Sequence, residues 1–101
     1  MSPGLTRAGA LALVRSLLYD QAVVQLFEHG EPVGEPVPYD VDANTGIVAS
    51  REMWEVEVSV RRLDGHAAFW WPIRSVVHPG DTVSPPDPAE WFTADERVWF
   101  S

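Results

Sequence analysis

The sequence predicts a mainly β fold: a small β-sandwich or partly open barrel with one N-terminal α-helix. Two patterns indicate it: an alternating apolar stretch with a turn in the middle of the chain, and one stretch with helical spacing near its start. The 101 residues are 46% hydrophobic and 22% charged, which is an ordinary globular composition rather than a disordered one. A chain of this length forms a single core, so we expect one domain over residues 1–101.

The central hairpin, about residues 53–77, is the stretch around which the other elements are predicted to assemble. In its first half apolar and polar residues alternate, which is typical of a strand buried on one face. The buried face is expected to carry Trp54, Val56, Val58 and Val60. Asp64-Gly65 then favours a tight hairpin turn, because such a turn needs residues that tolerate positive φ.

Counting outward from this turn predicts the register of the hairpin. The expected pairs are Val60 with Phe69, Val58 with Trp71 and Val56 with Ile73 on one face, and Ser59 with Trp70 and Glu55 with Arg74 on the other. With a two-residue loop, Pro72 would occupy a hydrogen-bonded position opposite Glu57, where it has no N–H to donate. With a four-residue loop, Leu63 to His66, the partners stay the same but the position of Pro72 faces away from the first strand, so no N–H is needed there. We therefore expect the second strand to be an edge strand, or to bulge at Trp70–Pro72.

The other elements are short. A helix is predicted over about residues 5–19, where Thr6 can cap it and Leu11, Val14, Leu17 and Leu18 form an apolar stripe. The remaining predictions, in chain order, are a buried strand at 22–28, a proline-rich edge or loop at 32–38, short strands at 47–49 and 82–84, and a stiff connector at 85–88. The aromatic C-terminal tail, 89–101, is expected either to close the sheet or to dock onto a neighbouring subunit.

The charge composition restricts the function. The net charge is -8, and all seven basic side chains other than histidine are arginines, so a basic groove for nucleic acid is not expected. The acidity serves solubility or docking onto a basic partner. The absence of cysteine excludes disulfides, zinc–thiolate sites and cysteine nucleophiles. The apolar stretch from Ala8 to Leu18 is too short to span a bilayer, so we expect a soluble, unprocessed protein without membrane contact.

One segment resembles the start of a calcium-binding loop. Asp40, Asp42 and Asn44 stand at the first, third and fifth positions, where oxygen ligands are required. The match then fails, because Thr45 and Arg51 replace the required glycine and bidentate glutamate. A polar turn stabilised by Asx side chains accounts for the same residues, and the sequence leaves ion binding at Asp40-Asp42-Asn44 open.

No catalytic pattern is present in the sequence. His29, His66 and His78 each lie in a predicted turn and lack the spacing of metal ligands. Nucleophile-elbow, zinc-protease and glycine-rich phosphate motifs do not occur. We therefore predict no catalytic residues, no metal site and no cofactor, and a protein that is not an enzyme.

The aromatic residues suggest an interface instead. Trp70 alternates with Phe69 and Trp71, so it is expected to point away from the core that they share. A two-sided sheet with the helix on one face would account for these aromatics without a partner. The alternative is a subunit interface, where tryptophan is enriched; its candidate residues are Trp70, Trp91, Trp99 and Phe100.

Several short motifs occur in an order that resembles small structural proteins of tailed-bacteriophage virions. The segments are Leu5-Thr6-Arg7-Ala8-Gly9 with Ala12-Leu13-Val14, then residues 24–30 (VQLFEHG), 68–71 (AFWW) and 80–83 (GDTV). The resemblance implies a β-rich, non-enzymatic protein that serves as head decoration (cement) or as a tail-associated component. The proline-rich section 32–38 and the acidic aromatic tail depart from the pattern, which leaves head or tail open.

Two functions follow as expectations. The first is a capsid decoration or cement protein, located in a virion assembled in the host cytoplasm, that forms a homo-oligomer (a trimer fits a local three-fold site) and binds a capsid or tail protein. The second is a small acidic inhibitor or immunity-type protein that blocks a basic partner surface. Its candidate contact charges are Glu52, Glu55, Glu57, Asp87, Glu90, Asp95 and Glu96.

Overall fold

The computed structural model describes residues 7–19, 21–65, 67–91 and 97–100. The helix α1 spans Arg7–Leu18. The strands are β1 (Ala22–Glu28), β2 (Glu31–Pro38), β3 (Ile47–Val48), β4 (Val56–Arg62), β5 (Ala67–Pro72), β6 (Thr82–Val83) and β7 (Arg97–Phe100). A short 3-10 turn, Pro88–Glu90, lies between β6 and β7. The prediction of a mainly β fold with one N-terminal helix is confirmed, whereas the helix cap predicted at Thr6 lies outside the described residues.

The strands form two antiparallel sheets. The larger has five strands in the order β2-β1-β4-β5-β7, and the smaller is a two-stranded ribbon of β3 and β6. The tail strand β7 pairs with β5 from Ala67↔Phe100 to Trp70↔Arg97, so this part of the tail forms one edge of the sheet. At the opposite edge, β2 carries the three prolines of the 32–38 section, as the sequence predicts for an edge strand.

The predicted hairpin register is confirmed for the pairs that define its two faces, which are Val60↔Phe69, Val58↔Trp71 and Ser59↔Trp70. Four residues, 63–66, connect the two strands, and Pro72 is exposed opposite Glu57. The prediction that β5 is an edge strand is wrong over the segment where it pairs with β7. The β7 register ends at Trp70, so Pro72 lies beyond this pairing.

The start of the hairpin differs from the prediction. Strand β4 begins at Val56, because Glu55 adopts a left-handed φ of 52° that interrupts the pleat. Met53 forms a separate bridge with Val77 and is buried. Trp54 is therefore not on the buried face of β4; its side chain is 56% exposed. The predicted Glu55–Arg74 pair is also wrong, since the Glu55 carboxylate contacts His29.

The core lies on one face of the large sheet. Val24 and Leu26 of β1 are buried in the same cluster as Val58 and Val60 of β4. The helix packs on this face through Val14 and Leu18, which are four residues apart on one helix side. The ribbon and the Trp91 region cover the same face with Val41, Ala49, Met53, Val77, Val83 and Trp91. We call the opposite surface, formed by the alternate residues of β1, β4 and β5, the outer face.

Candidate interaction surfaces

Trp91 is a core residue. Its side chain is 1% exposed and packs on the rings of Phe69 and Trp71 at centroid distances of 4.8 and 4.9 Å. Its indole N–H donates to the Pro86 carbonyl oxygen at 2.9 Å. The prediction that Trp91 anchors an interface is therefore wrong, because the hydrophobic cluster and the 3-10 turn enclose this side chain.

Local structure explains why the tail turns inward at Trp91. Asp87 caps the 3-10 turn by accepting a hydrogen bond from the Ala89 backbone N–H at 2.9 Å. Tyr39 stacks on the Trp91 ring at 6.1 Å, and its hydroxyl donates to Asn44 Oδ1. Burial, followed by the nearby carboxylates of Asp40 and Asp87, raises the pKa of Tyr39 well above its ordinary value.

Trp70 lies on the outer face, as its alternation with Trp71 predicts. Its ring contacts Phe27 of β1 at a centroid distance of 4.9 Å. Because β4 runs between β1 and β5, the two rings meet by leaning over that strand. Ser59, which pairs with Trp70, lies there and is fully buried, and its hydroxyl donates to the Gln25 carbonyl oxygen. A small residue in the central strand thus lets two aromatics from flanking strands meet.

The other two candidate interface residues belong to β7. Trp99 pairs with Ala68, and Phe100 pairs with Ala67, in the backbone ladder. Their side chains are not among those that the structure describes. Their predicted role as interface anchors stays a prediction.

An exposed aromatic site that the sequence reasoning missed is centred on Trp54. Met53 and Trp54 are adjacent large apolar residues, and adjacent residues of an extended chain point in opposite directions. Met53 occupies the core and is 1% exposed, which directs Trp54 outward. This adjacency was the available signal: only one of the two side chains could face the core.

Polar contacts hold the Trp54 backbone in place. Glu28, the last residue of β1, accepts the Trp54 backbone N–H at Oε2 (2.9 Å) and the Arg51 guanidinium at Oε1 (2.9 Å). The Trp54 N–H, and then Arg51, lower the pKa of Glu28 below its ordinary value. The Trp54 indole N–H donates to Glu52 Oε1 at 3.2 Å. The backbone of Trp54 is thereby anchored while the ring stays open to solvent.

Beside Trp54 lies an open groove of about 510 Å³ between the start of β4 and the chain that follows β5. It is lined by Trp54, Glu55, Val56, Glu57, Pro72, Ile73, Arg74, Ser75 and Val76. The lining combines an aromatic ring and aliphatic side chains with carboxylates and one guanidinium. Such a mixture of apolar and charged groups is typical of surfaces that bind a protein segment.

Two histidines lie at the same end of the molecule, each beside a carboxylate. His29 Nδ1 is 3.0 Å from Glu55 Oε2, and His78 Nδ1 is 3.6 Å from Glu52 Oε2. His29 has a left-handed φ of 53°, as its predicted turn position requires. Both pairs are exposed to solvent, and they have no residue in common. His66 lies outside the described residues.

The calcium-like segment forms a turn that its own side chains stabilise and that contacts the connector after β6. Asp40 Oδ1 accepts the backbone N–H groups of Asp42 and Ala43, and the Asp40 N–H donates to the Thr45 hydroxyl. Asn44, with a φ of 52°, donates from Nδ2 to the Pro85 carbonyl oxygen. This is the Asx-stabilised turn that the sequence offered as its second explanation. Within the described residues, no group of three or more histidine or acidic side chains could hold a metal ion.

Comparisons of the chain with protein-family models, with curated proteins and with solved structures returned no match. Among the described residues, no helix is long and apolar enough to cross a membrane.

Proposed function

We propose that this chain is a non-enzymatic structural protein of a tailed-phage virion, a decoration or cement protein that binds the assembled particle through the Trp54 surface. The observation that carries the binding role is the exposed Trp54 ring on an anchored backbone beside an open groove. The virion assignment rests on the sequence motifs, which resemble those of small phage structural proteins.

Burial of this ring at a joint between subunits accounts for stabilisation of a particle. Tryptophan is among the residues that contribute most to interfaces, because it removes a large apolar area from water. Glu28 and Met53 fix the Trp54 backbone before binding, so less conformational entropy is lost when the ring docks. A protein that binds only the assembled state lowers the free energy of that state by its binding free energy.

Co-sedimentation tests this function. The full chain is mixed with purified particles that lack it, from a phage whose copy of its gene is deleted, and the bound fraction is compared with that of Trp54→Ala. The control is Leu63→Ala, since Leu63 is 64% exposed at the opposite end of β4. We expect wild type and Leu63→Ala to sediment with particles and Trp54→Ala to remain in the supernatant. Failure of the wild-type chain to bind would overturn the proposal, as would a toxin gene rather than capsid genes beside its own.

An acidic inhibitor is the second candidate, and one observation favours it. Of its predicted contact charges, Glu52, Glu55 and Glu57 lie around Trp54, at one end of the molecule. Asp87 and Glu90 belong instead to the 3-10 turn, and Asp95 and Glu96 lie outside the described residues. Salt separates the two functions: association of an inhibitor with a basic surface slows strongly as ionic strength rises, whereas a tryptophan-anchored joint changes little.

A further inference from the structure

The groove described above lies where the hairpin ladder opens. The Ile73 N–H donates to the Val56 carbonyl oxygen at 2.7 Å, and the next backbone contact is the bridge between Met53 and Val77. Two residues separate these contacts on one chain and three on the other, so the two chains do not stay in register across this interval. Within the described part of the chain, the backbone groups of residues 74–76 form no hydrogen bond. One wall of the groove therefore carries unpaired backbone donors and acceptors.

Arg74 stands on this wall without the partner that the strand register would give it. Ile73 packs against the core, so alternation directs Arg74 to the other side of the sheet. Continuing the register of the hairpin places Glu55 opposite Arg74. The left-handed φ of Glu55 turns it out of the strand, and its carboxylate contacts His29 instead. Arg74 is exposed and forms no ion pair with a described side chain, so a carboxylate from a partner can take the position that Glu55 leaves.

Glu57 is the second unpaired charge of the groove. It lies between the core residues Val56 and Val58, so its side chain is directed to the same side of the sheet as Arg74. The residue opposite it is Pro72, which carries no charge, and none of the described side chains pairs with the half-buried carboxylate. Diagonal neighbours such as Glu57 and Arg74 are about 7–8 Å apart across a ladder. Alternate residues of an extended chain are separated by a similar distance, about 7 Å.

We propose that the groove binds an extended segment of the partner with three residues at alternate positions. A basic residue lies over Glu57, an acidic residue over Arg74, and an apolar residue against the Trp54 ring, which lies one step further along the groove. This inference rests on the binding role proposed for the Trp54 surface. Backbone groups of the segment pair with those of residues 74–76, as when a strand is added to an open edge. Opposite charges then give specificity, and burial of the apolar side chain on the indole gives affinity.

Short peptides test this pattern on the full chain. The probe is an acetylated and amidated peptide, RTETL. Its controls are QTQTL, which is uncharged, RTRTL, which is basic, and RETTL, whose adjacent charges point to opposite sides. Each is titrated at an ionic strength of about 0.15 M and followed by NMR at the Trp54 indole and at the Ser75 and Val76 amides. We expect a dissociation constant of about 1 mM for RTETL and values at least about threefold higher for every control.

Double-mutant cycles assign the two charged contacts. Two further peptides, QTETL and RTQTL, each lack one charge. Glu57→Gln should abolish the difference between RTETL and QTETL but keep that between RTETL and RTQTL, whereas Arg74→Gln should do the reverse. The matched control is Glu35→Gln, a change at an exposed glutamate of β2, which should rank the peptides as wild type does.

The wild-type chain alone tests the pattern through the control peptides, so the result does not depend on how well a variant folds. Absence of RTETL binding would overturn the proposal, and so would tighter binding of RTRTL or preferences that survive both substitutions. No particle takes part in this assay. A chain that binds RTETL but no virion would therefore contradict only the virion assignment, and a chain that binds particles but not RTETL would contradict only the proposed segment.

Discussion

Trp91 and Trp54 are both tryptophans, but the ring is held in place at Trp91 and only the backbone at Trp54. Trp91 is enclosed by Phe69, Trp71 and Tyr39, and its indole N–H is satisfied by the Pro86 carbonyl oxygen. Trp54 is fixed through its backbone N–H, while its ring remains largely exposed. The first arrangement stabilises the fold through apolar burial. The second adds little to stability and keeps an aromatic surface in one position, as a binding site requires.

Substitution by alanine should separate these two roles most clearly. Trp91→Ala removes a fully buried ring and leaves a cavity, so it should lower the free energy of unfolding by about 3–5 kcal/mol. Trp54→Ala should change it by less than about 0.5–1 kcal/mol, since an exposed ring loses little on truncation. Urea denaturation followed by circular dichroism measures both. Similar losses for the two variants would contradict the division between a core tryptophan and a binding tryptophan.

The two buried tryptophans that contact each other allow a finer comparison. Trp91 Nε1 donates to Pro86, whereas no described residue accepts a hydrogen bond from Trp71 Nε1, which is buried. Substitution by phenylalanine removes a similar volume at both sites but breaks a hydrogen bond only at Trp91. We expect Trp91→Phe to be the more destabilising by about 1 kcal/mol, measured by the same denaturation. Equal costs would show that ring volume alone sets the stability at this contact.

The sequence predicted the fold better than the site, and Glu55 and Trp91 show why. Strand register follows from alternation and turn length, which are local, so Ser59↔Trp70 and its neighbours could be derived by counting. The left-handed φ of Glu55 has no signal in its side chain, since glycine or asparagine usually occupies that conformation. Burial of Trp91 depends on contacts with β5 and Tyr39, distant in sequence, which composition cannot reveal.

Glycine substitutions can test the strain that turns the chain between Trp54 and β4. Glu55→Gly relieves a left-handed backbone and loses only an exposed contact with His29, so it should stabilise the protein by about 0.5 kcal/mol. Glu57→Gly, the same substitution two residues later inside β4, should destabilise it by about 0.5–1 kcal/mol. Thermal denaturation shows whether each variant is more or less stable than wild type. A loss of stability for Glu55→Gly would contradict the strain at this position.

The smallest expected effect on stability comes from protonation of Glu28, whose carboxylate accepts the hydrogen bond from the Trp54 backbone N–H. The pKa of Glu28 is lowered from 4.5 in the folded chain, so its contact with the Trp54 N–H stabilises the fold at neutral pH. This stabilisation is fully present above pH 4.5 and is lost as pH falls through the lower folded pKa. An NMR titration of the Trp54 amide proton should therefore show a midpoint below pH 4.5.

Two variants test this assignment. Glu28→Gln should remove the transition, whereas Arg51→Ala should raise its midpoint without abolishing it, since the Trp54 N–H is the larger of the two causes. A wild-type midpoint at or above pH 4.5 would show that Glu28 does not hold the Trp54 backbone.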